Sequence, residues 1–181
     1  MNVSIGINLQ SGPWGGGNQA LSALAENLRG KGVNVCFDLA NSDLDLIVLT
    51  EPRELLRSSA YSDKHILKYL HQVNNRTIVV HRVNECDERK GTTGVNRRLR
   101  NANLCADHTI FVSKWLRDLH LSQGFICKSY SVILNGSDRS IFHPMGYQCW
   151  DEKGPMRLIT HHWGAHWMKG FDIYERLDKL L

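Results

Sequence analysis

The sequence predicts an α/β fold: a doubly wound, mostly parallel sheet with helices on both faces. Short β-branched, apolar runs alternate with stretches whose apolar residues recur at helical spacing, and glycine or a capping residue stands at most of the boundaries. The composition agrees. In 181 residues, 42% are apolar and 22% charged, enough for one compact domain or one domain and a piece of a second, and unlike a disordered chain, a collagen repeat or a coiled coil.

Residues 2–9 read as the first strand, with Val3, Ile5, Ile7 and Leu9 alternating. A glycine-rich loop, Gly12-Pro-Trp-Gly-Gly-Gly17, leads into a helix over residues 18–29, whose Ala20, Leu21, Leu24, Ala25 and Leu28 form one buried stripe; Gly30 and Gly32 stop it. Residues 33–37 and 44–49 are strands, the latter apolar without alternation, as a strand covered on both faces should be. The spacing of Ile66, Leu67, Leu70 and Val73 predicts a helix over 62–74, and residues 77–81 form a strand ending on a histidine. A basic amphipathic helix over 94–106 follows a polar loop. The alternation then repeats: strand 109–112, Ser113 as N-cap of helix 114–122, Gly124 as stop, and strand 130–134 closed by Asn135-Gly136. These elements make a first domain of residues 1–138. Residues 139–155, without periodicity, read as a linker, and 156–181 as one more strand and helix. One strand and one helix bury no core of their own, so this segment is expected either to dock on the first domain or to begin a second one that the chain lacks.

The formal charge of +4 is partly local, with Arg97, Arg98 and Arg100 close together and Arg82, Arg89 and Lys90 upstream. A mild, clustered excess suits an anionic small molecule or a membrane surface better than a nucleic-acid duplex. No apolar run has membrane-spanning length and no leader opens the chain, which makes a cytoplasmic protein, in peripheral contact with the inner membrane face at most, the expectation. Five cysteines without a C-x-x-C pair favour a reducing compartment, and the sequons at Asn75 and Asn135 then carry no glycan.

Glycines between a strand and a helix N-terminus let backbone amides approach a phosphate. Gly15-x-Gly17-x-x-Ala20, with Asp38 ending the second strand, matches a dinucleotide fingerprint, although the five residues Gln10–Trp14 separate the first strand from Gly15. A ligand-free turn and a phosphate loop of another kind remain open. His81, at the carboxyl end of a central strand, is placed to act as acid or base or to bond a sugar hydroxyl; a histidine satisfied by nearby backbone is the bland reading. Glu85, Asp87 and Glu88 read as solvated loop charge. His161, His162 and His166, near His143, lack the Glu of H-E-x-x-H, and Asp43-x-Asp45 falls at the start of a strand, so no metal site is expected.

Taken in order, these segments resemble the retaining glycosyltransferases of the GT-B fold, family-four type. Gly15-Gly16-Gly17 and its helix look like that family's first loop, His81 like its central histidine, and Ala106-Asp107-His108-Thr109-Ile110-Phe111-Val112-Ser113 like its "A-D-x-I-x-x-V-S" strand. Val132-Ile133-Leu134-Asn135-Gly136-Ser137-Asp138 with Phe142 and Pro144 is similar to its "V-I-x-N-G-V-D…F-x-P" stretch, and Lys169-Gly170 to the "K-G" of the second domain. The resemblance implies a Rossmann-like acceptor-binding domain. Its partners would be a nucleotide-sugar donor and a saccharide or lipid-linked acceptor in cell-surface polysaccharide or glycolipid synthesis, with no separate cofactor. It makes His81 the catalytic candidate and assigns Gly15, Gly16, Gly17, Asn18, Arg82, Asn135 and Lys169 to the donor diphosphate or substrate. Gly164 stands where the family has an arginine, and the donor domain would lie beyond Leu181, so little turnover is expected of this chain alone. The rivals are an NAD(P)-dependent oxidoreductase using Gly15, Gly17 and Asp38, and a non-catalytic sugar-binding module.

Overall fold

The computed structural model describes residues 1–12, 15–155, 159 and 167–180. They divide into two compact units, 1–135 and 136–181.

The first unit is a six-stranded sheet, entirely parallel, in the order β2-β1-β3-β4-β5-β6. Its strands are β1 (Asn2–Ile5), β2 (Asn34–Cys36), β3 (Leu46–Leu49), β4 (Ile78–Val83), β5 (His108–Phe111) and β6 (Tyr130–Val132). The helices are α1 (Gly16–Gly30), α2 (Asp63–Gln72), α3 (Val95–Ala102) and α4 (Lys114–Ser122). The doubly wound α/β class is thus observed, and the handedness of parallel crossovers explains where each helix lies. The chain leaves β1 toward β2 and carries α1 over one face, where Leu21 and Ala25 pack on Val3, Ile5 and Val48. It then progresses from β3 to β6 in the opposite direction and lays the remaining helices on the other face. There Ile66 and Tyr69 of α2 meet Ile47, Leu49 and Val79, while Leu99 of α3 and Leu116 of α4 meet Val83 and Phe111. The reversal puts a topological switch point between β1 and β3, whose carboxyl rim is where open parallel sheets place their ligands.

Most elements begin or end a residue or two from the sequence reading, and at three of them the reason is visible. The first strand stops at Ile5 because Gly6 N–H makes the last bond to β3, to Val48 O at 2.8 Å, and Ile7 turns away into an antiparallel bridge with Ser59 in the loop after β3. The fourth strand runs two residues past His81, because Arg82 and Val83 keep their places opposite Ile110 and Phe111 of β5. The helix expected over 94–106 ends at Ala102 and tightens into a 3₁₀ turn over Asn103–Cys105. The short caps behave as expected. The Ser113 hydroxyl accepts the Leu116 amide at 3.1 Å, and Ser62 forms a reciprocal cap with His65 at the start of α2.

In the second unit, residues 167–169 form a 3₁₀ turn and α5 (Phe171–Asp178) follows, within the helix expected there. The strand expected from residue 156, and His161, His162 and His166, lie outside the described residues. No helix among the described residues is long and apolar enough to cross a membrane.

Candidate functional site

Loops after β1, β3 and β4 form the rim at the switch point. The first two are stitched to each other. Asn8 N–H donates to Ser58 O at 2.9 Å, its side-chain amide donates to Ser59 O at 2.8 Å, and the Thr50 hydroxyl donates to Gly6 O at 2.7 Å. Gly6 permits this closeness, since a Cβ there would lie 2.8 Å from Cε2 of Tyr61 and 3.1 Å from Val48 O. Beneath them the buried Tyr61 hydroxyl meets Ser4 Oγ at 2.9 Å, and Ser4 donates to Asp38 O at 2.6 Å. Asp38 is therefore attached to the strand floor through its carbonyl.

Above it lies the glycine segment. Gly15 is the N-cap of α1, no side chain among the described residues caps that helix, and no acidic residue occupies its first turn. A helix of 15 residues without an internal anion at its positive end favours an external negative charge there. Gly16 faces open space, and a Cβ on Gly17 would lie 3.9 Å from the Asn84 side-chain nitrogen, so the glycine segment adjoins the chain just past β4. Asn18 shapes this loop. Its side-chain oxygen accepts the Gln10 amide at 2.8 Å and its nitrogen donates to Gln10 O at 2.9 Å, closing residues 10–18 into a ring.

Arg82 projects on the α1 side of β4 and donates to Asn135 Oδ1 at 2.8 Å, so these two predicted residues do come together. The guanidinium is half-buried, has a neutral partner rather than a carboxylate, and is pulled below its ordinary pKa by desolvation. Lys169 belongs to the second unit, where it ends the 3₁₀ turn.

His81 stands elsewhere than expected. It lies inside β4 rather than at its end, on the α2/α3 side of the sheet, and is wholly buried. Its Nδ1 is 2.8 Å from Asn103 Oδ1. The Asn103 amide nitrogen donates to Ile126 O at 2.8 Å and its oxygen also accepts the Thr109 hydroxyl at 2.9 Å, so the oxygen faces the ring and Nδ1 carries the proton. Nε2 is then a bare acceptor, with no partner among the described residues, in a pocket where Phe125 stacks at 6.4 Å. Desolvation dominates its titration and lowers its pKa to about 4, keeping the ring neutral. In this conformation His81 offers a ligand no atom; its direct partner, Asn103, was not among the residues the sequence singled out.

The remaining rim charges are largely committed. Arg53 grips Glu51 through two nitrogens, at 2.7 and 2.6 Å, and Lys90 pairs with Glu85. Asp87, expected to be solvated, is a structural cap. Its carboxylate accepts the Val95 and Asn96 amides, both at 3.0 Å, at the start of α3, and the Thr92 hydroxyl at 2.9 Å; desolvation is the largest single influence and raises its pKa, but the hydrogen bonds together outweigh it and hold the pKa below the ordinary value. Beside it an open cavity of about 580 Å³ is lined by Glu88, Thr93, Arg97, Arg100 and Gln123, and none of the predicted site residues borders it. Among the described residues no three His, Cys, Asp or Glu side chains cluster as metal ligands would. What the rim offers chemically is anion recognition, through the uncapped α1 amides and a desolvated arginine.

The chain matches no protein-family model and no curated protein.

Proposed function

We propose that the chain is the acceptor-side, Rossmann-like half of a glycosyltransferase that moves a sugar from a nucleotide-sugar donor to a saccharide or lipid-linked acceptor. The observation that supports this reading best is the meeting of Gly17 with Asn84 at the carboxyl rim. It sets an uncapped helix N-terminus beside the segment that follows the central strand, so a diphosphate and a sugar could share one surface. Gly15, Gly16 and Gly17 supply amides to the diphosphate, Asn18 holds their loop in shape, and Arg82 with Asn135 supplies a cation and an amide to the substrate. Lys169 would neutralise the departing phosphate, which gathers charge as the sugar leaves. His81 is a positioning residue in this scheme: its ring ties β4 to Asn103 and the loop at Ile126, and so fixes where Arg82 and Asn84 emerge. The enclosed ring equally suits a sugar-binding module without catalysis, which the same experiment separates.

Amide NMR of the full chain titrated with uridine diphosphate, guanosine diphosphate, NADH and a simple saccharide tests the reading. A nucleoside diphosphate is expected to shift the Gly15–Gly17 signals, and Arg82→Ala to weaken the response. Shifts with NADH alone would favour the oxidoreductase, shifts with saccharide alone the binding module, and silence of the three glycines toward every ligand would remove the proposal.

A further inference from the structure

We infer that the loop tip at Leu55–Leu56, together with the outer side of α2, is a docking surface for an anionic lipid bilayer. This goes beyond the proposed transfer reaction and does not depend on it.

Leu55 is fully exposed, Leu56 is 40% exposed and Leu67, on the outer side of α2, is 51% exposed. One exposed leucine is ordinary; two in succession at the tip of a tied-down loop are not what a polar turn needs. Cations accompany them. Arg57 follows Leu56 in the chain, Lys64 and Lys68 stand on α2 beside Leu67, all three are exposed, and none forms an ion pair among the described residues.

The nearby carboxylates are mostly spent. Glu51 is gripped by Arg53 and Asp63 pairs with Arg98. Glu54 accepts the Ser62 hydroxyl at 2.6 Å and lies within electrostatic reach of Lys64. The surface is therefore positive after internal pairing.

It is also one firm piece. Arg98 of α3 donates to Pro52 O at 2.7 Å while paired with Asp63 in the first turn of α2, and the Glu54–Ser62 bond fastens the tip to the α2 N-cap. Tip and α2, braced by Arg98 of α3, thus present their leucines and cations in a fixed arrangement.

Charge decides the occupant. The exposed leucines stand among unpaired cations, Arg57 beside Leu55–Leu56 and Lys64 and Lys68 beside Leu67, so a dry protein–protein contact would bury several unpaired charges. A bilayer carrying acidic headgroups takes the same pattern without that cost, because the leucines enter the headgroup boundary while the cations stay at phosphate level.

Co-sedimentation of the full chain with phosphatidylcholine vesicles, with and without phosphatidylglycerol, tests this. Binding is expected only with the acidic lipid and should fall as salt rises. Lys64→Glu with Lys68→Glu should lower partition on the order of twentyfold or more, taking about fivefold per cation near the surface. Leu55→Ser should lower it about tenfold, the loss from one inserted leucine. Lys31→Glu, beyond the other end of the chain's first helix, should leave it nearly unchanged, and all four side chains are exposed, so circular dichroism should show each variant folded. Equal binding to both vesicle types, binding to neither, or an equal loss from Lys31→Glu would overturn the inference. So would a concentration-dependent dimer abolished by Leu55→Ser, which would assign the surface to a second copy.

Discussion

Replacing His81 by asparagine separates the titration of a buried ring from the cost of an ordinary core defect. The asparagine nitrogen falls close to where Nδ1 stands and keeps a donor for Asn103 Oδ1, but cannot take a proton. In the native chain the ring is enclosed, and the ionisable groups that act on it are Asp63 of α2, Arg98 of α3 and His120 of α4. Its pKa falls from 6.5 to about 4, so an unfolded chain binds a proton that the folded chain refuses. The sign follows: stability is complete above about pH 7, declines as pH falls through the unfolded value, and levels off below the folded value. Over the whole interval the loss is about 3 kcal/mol, and between pH 7 and pH 5 about 2 kcal/mol, from 1.36 kcal/mol per pKa unit. Urea unfolding of the wild type and His81→Asn at pH 7, 6 and 5 measures it. The variant is expected to start lower, because a smaller side chain leaves a gap, yet to lose about 2 kcal/mol less over this range. His120 and the carboxylates titrate in both proteins and cancel. Parallel curves, agreeing within a few tenths of a kcal/mol, would refute the lowered pKa and the dry enclosure of the ring that causes it.

Further expectations concern the rim and the thiols. Gly6→Ala places a methyl against Tyr61 and Val48 O and should cost about 1–3 kcal/mol, read as a lower urea midpoint with an unchanged slope. Asp87→Ala removes the cap from α3 and should cost about 1–2 kcal/mol, with faster hydrogen exchange at Val95 and Asn96. Burial pushes the Cys105 thiol up to about 12, whereas Cys149 is exposed; iodoacetamide at mildly alkaline pH should therefore label Cys149 well before Cys105, and comparable rates would show that the core around Cys105 opens readily.

Periodicity and punctuation carried most of the fold. The α4 segment needed only Ser113, an apolar stripe and Gly124, and the structure gives it the expected bounds. What the sequence concealed were pairings between distant residues. The first strand alternates through Leu9, yet after Ile5 the better partner for its backbone is the loop at residues 58–59, which lies far along the chain. Asp87 is eight residues ahead of Val95, outside the spacing at which a capping residue announces itself, so only the folded loop brings its carboxylate to the α3 amides. His81 was conspicuous by type and by strand, but its burial depends on Asn103, a residue that local pattern gives no reason to notice. The meeting of Arg82 with Asn135 was legible only as a shared assignment from the glycosyltransferase resemblance; no spacing rule links two residues so far apart.

The stitching between the loops after β1 and β3 divides the rim mechanically. Residues 7–8 and 58–59 share backbone pairing between the two loops, so thermal motion of one carries the other along. The stretch from Asn84 to Gly94 is held by local bonds, from Lys90 and Thr92 N–H to Asp87 O, by side chains of Asn96, Arg89, Lys90 and Asp87, and by Cys86 buried in the core beneath it. An incoming molecule would thus meet a rim cross-tied to a distant loop on the β1–β3 side and one tied mainly within itself and to α3 on the β4 side. Adaptation to differently sized guests would be concentrated in those eleven residues, 84–94, which makes them the place to randomise when altering selectivity.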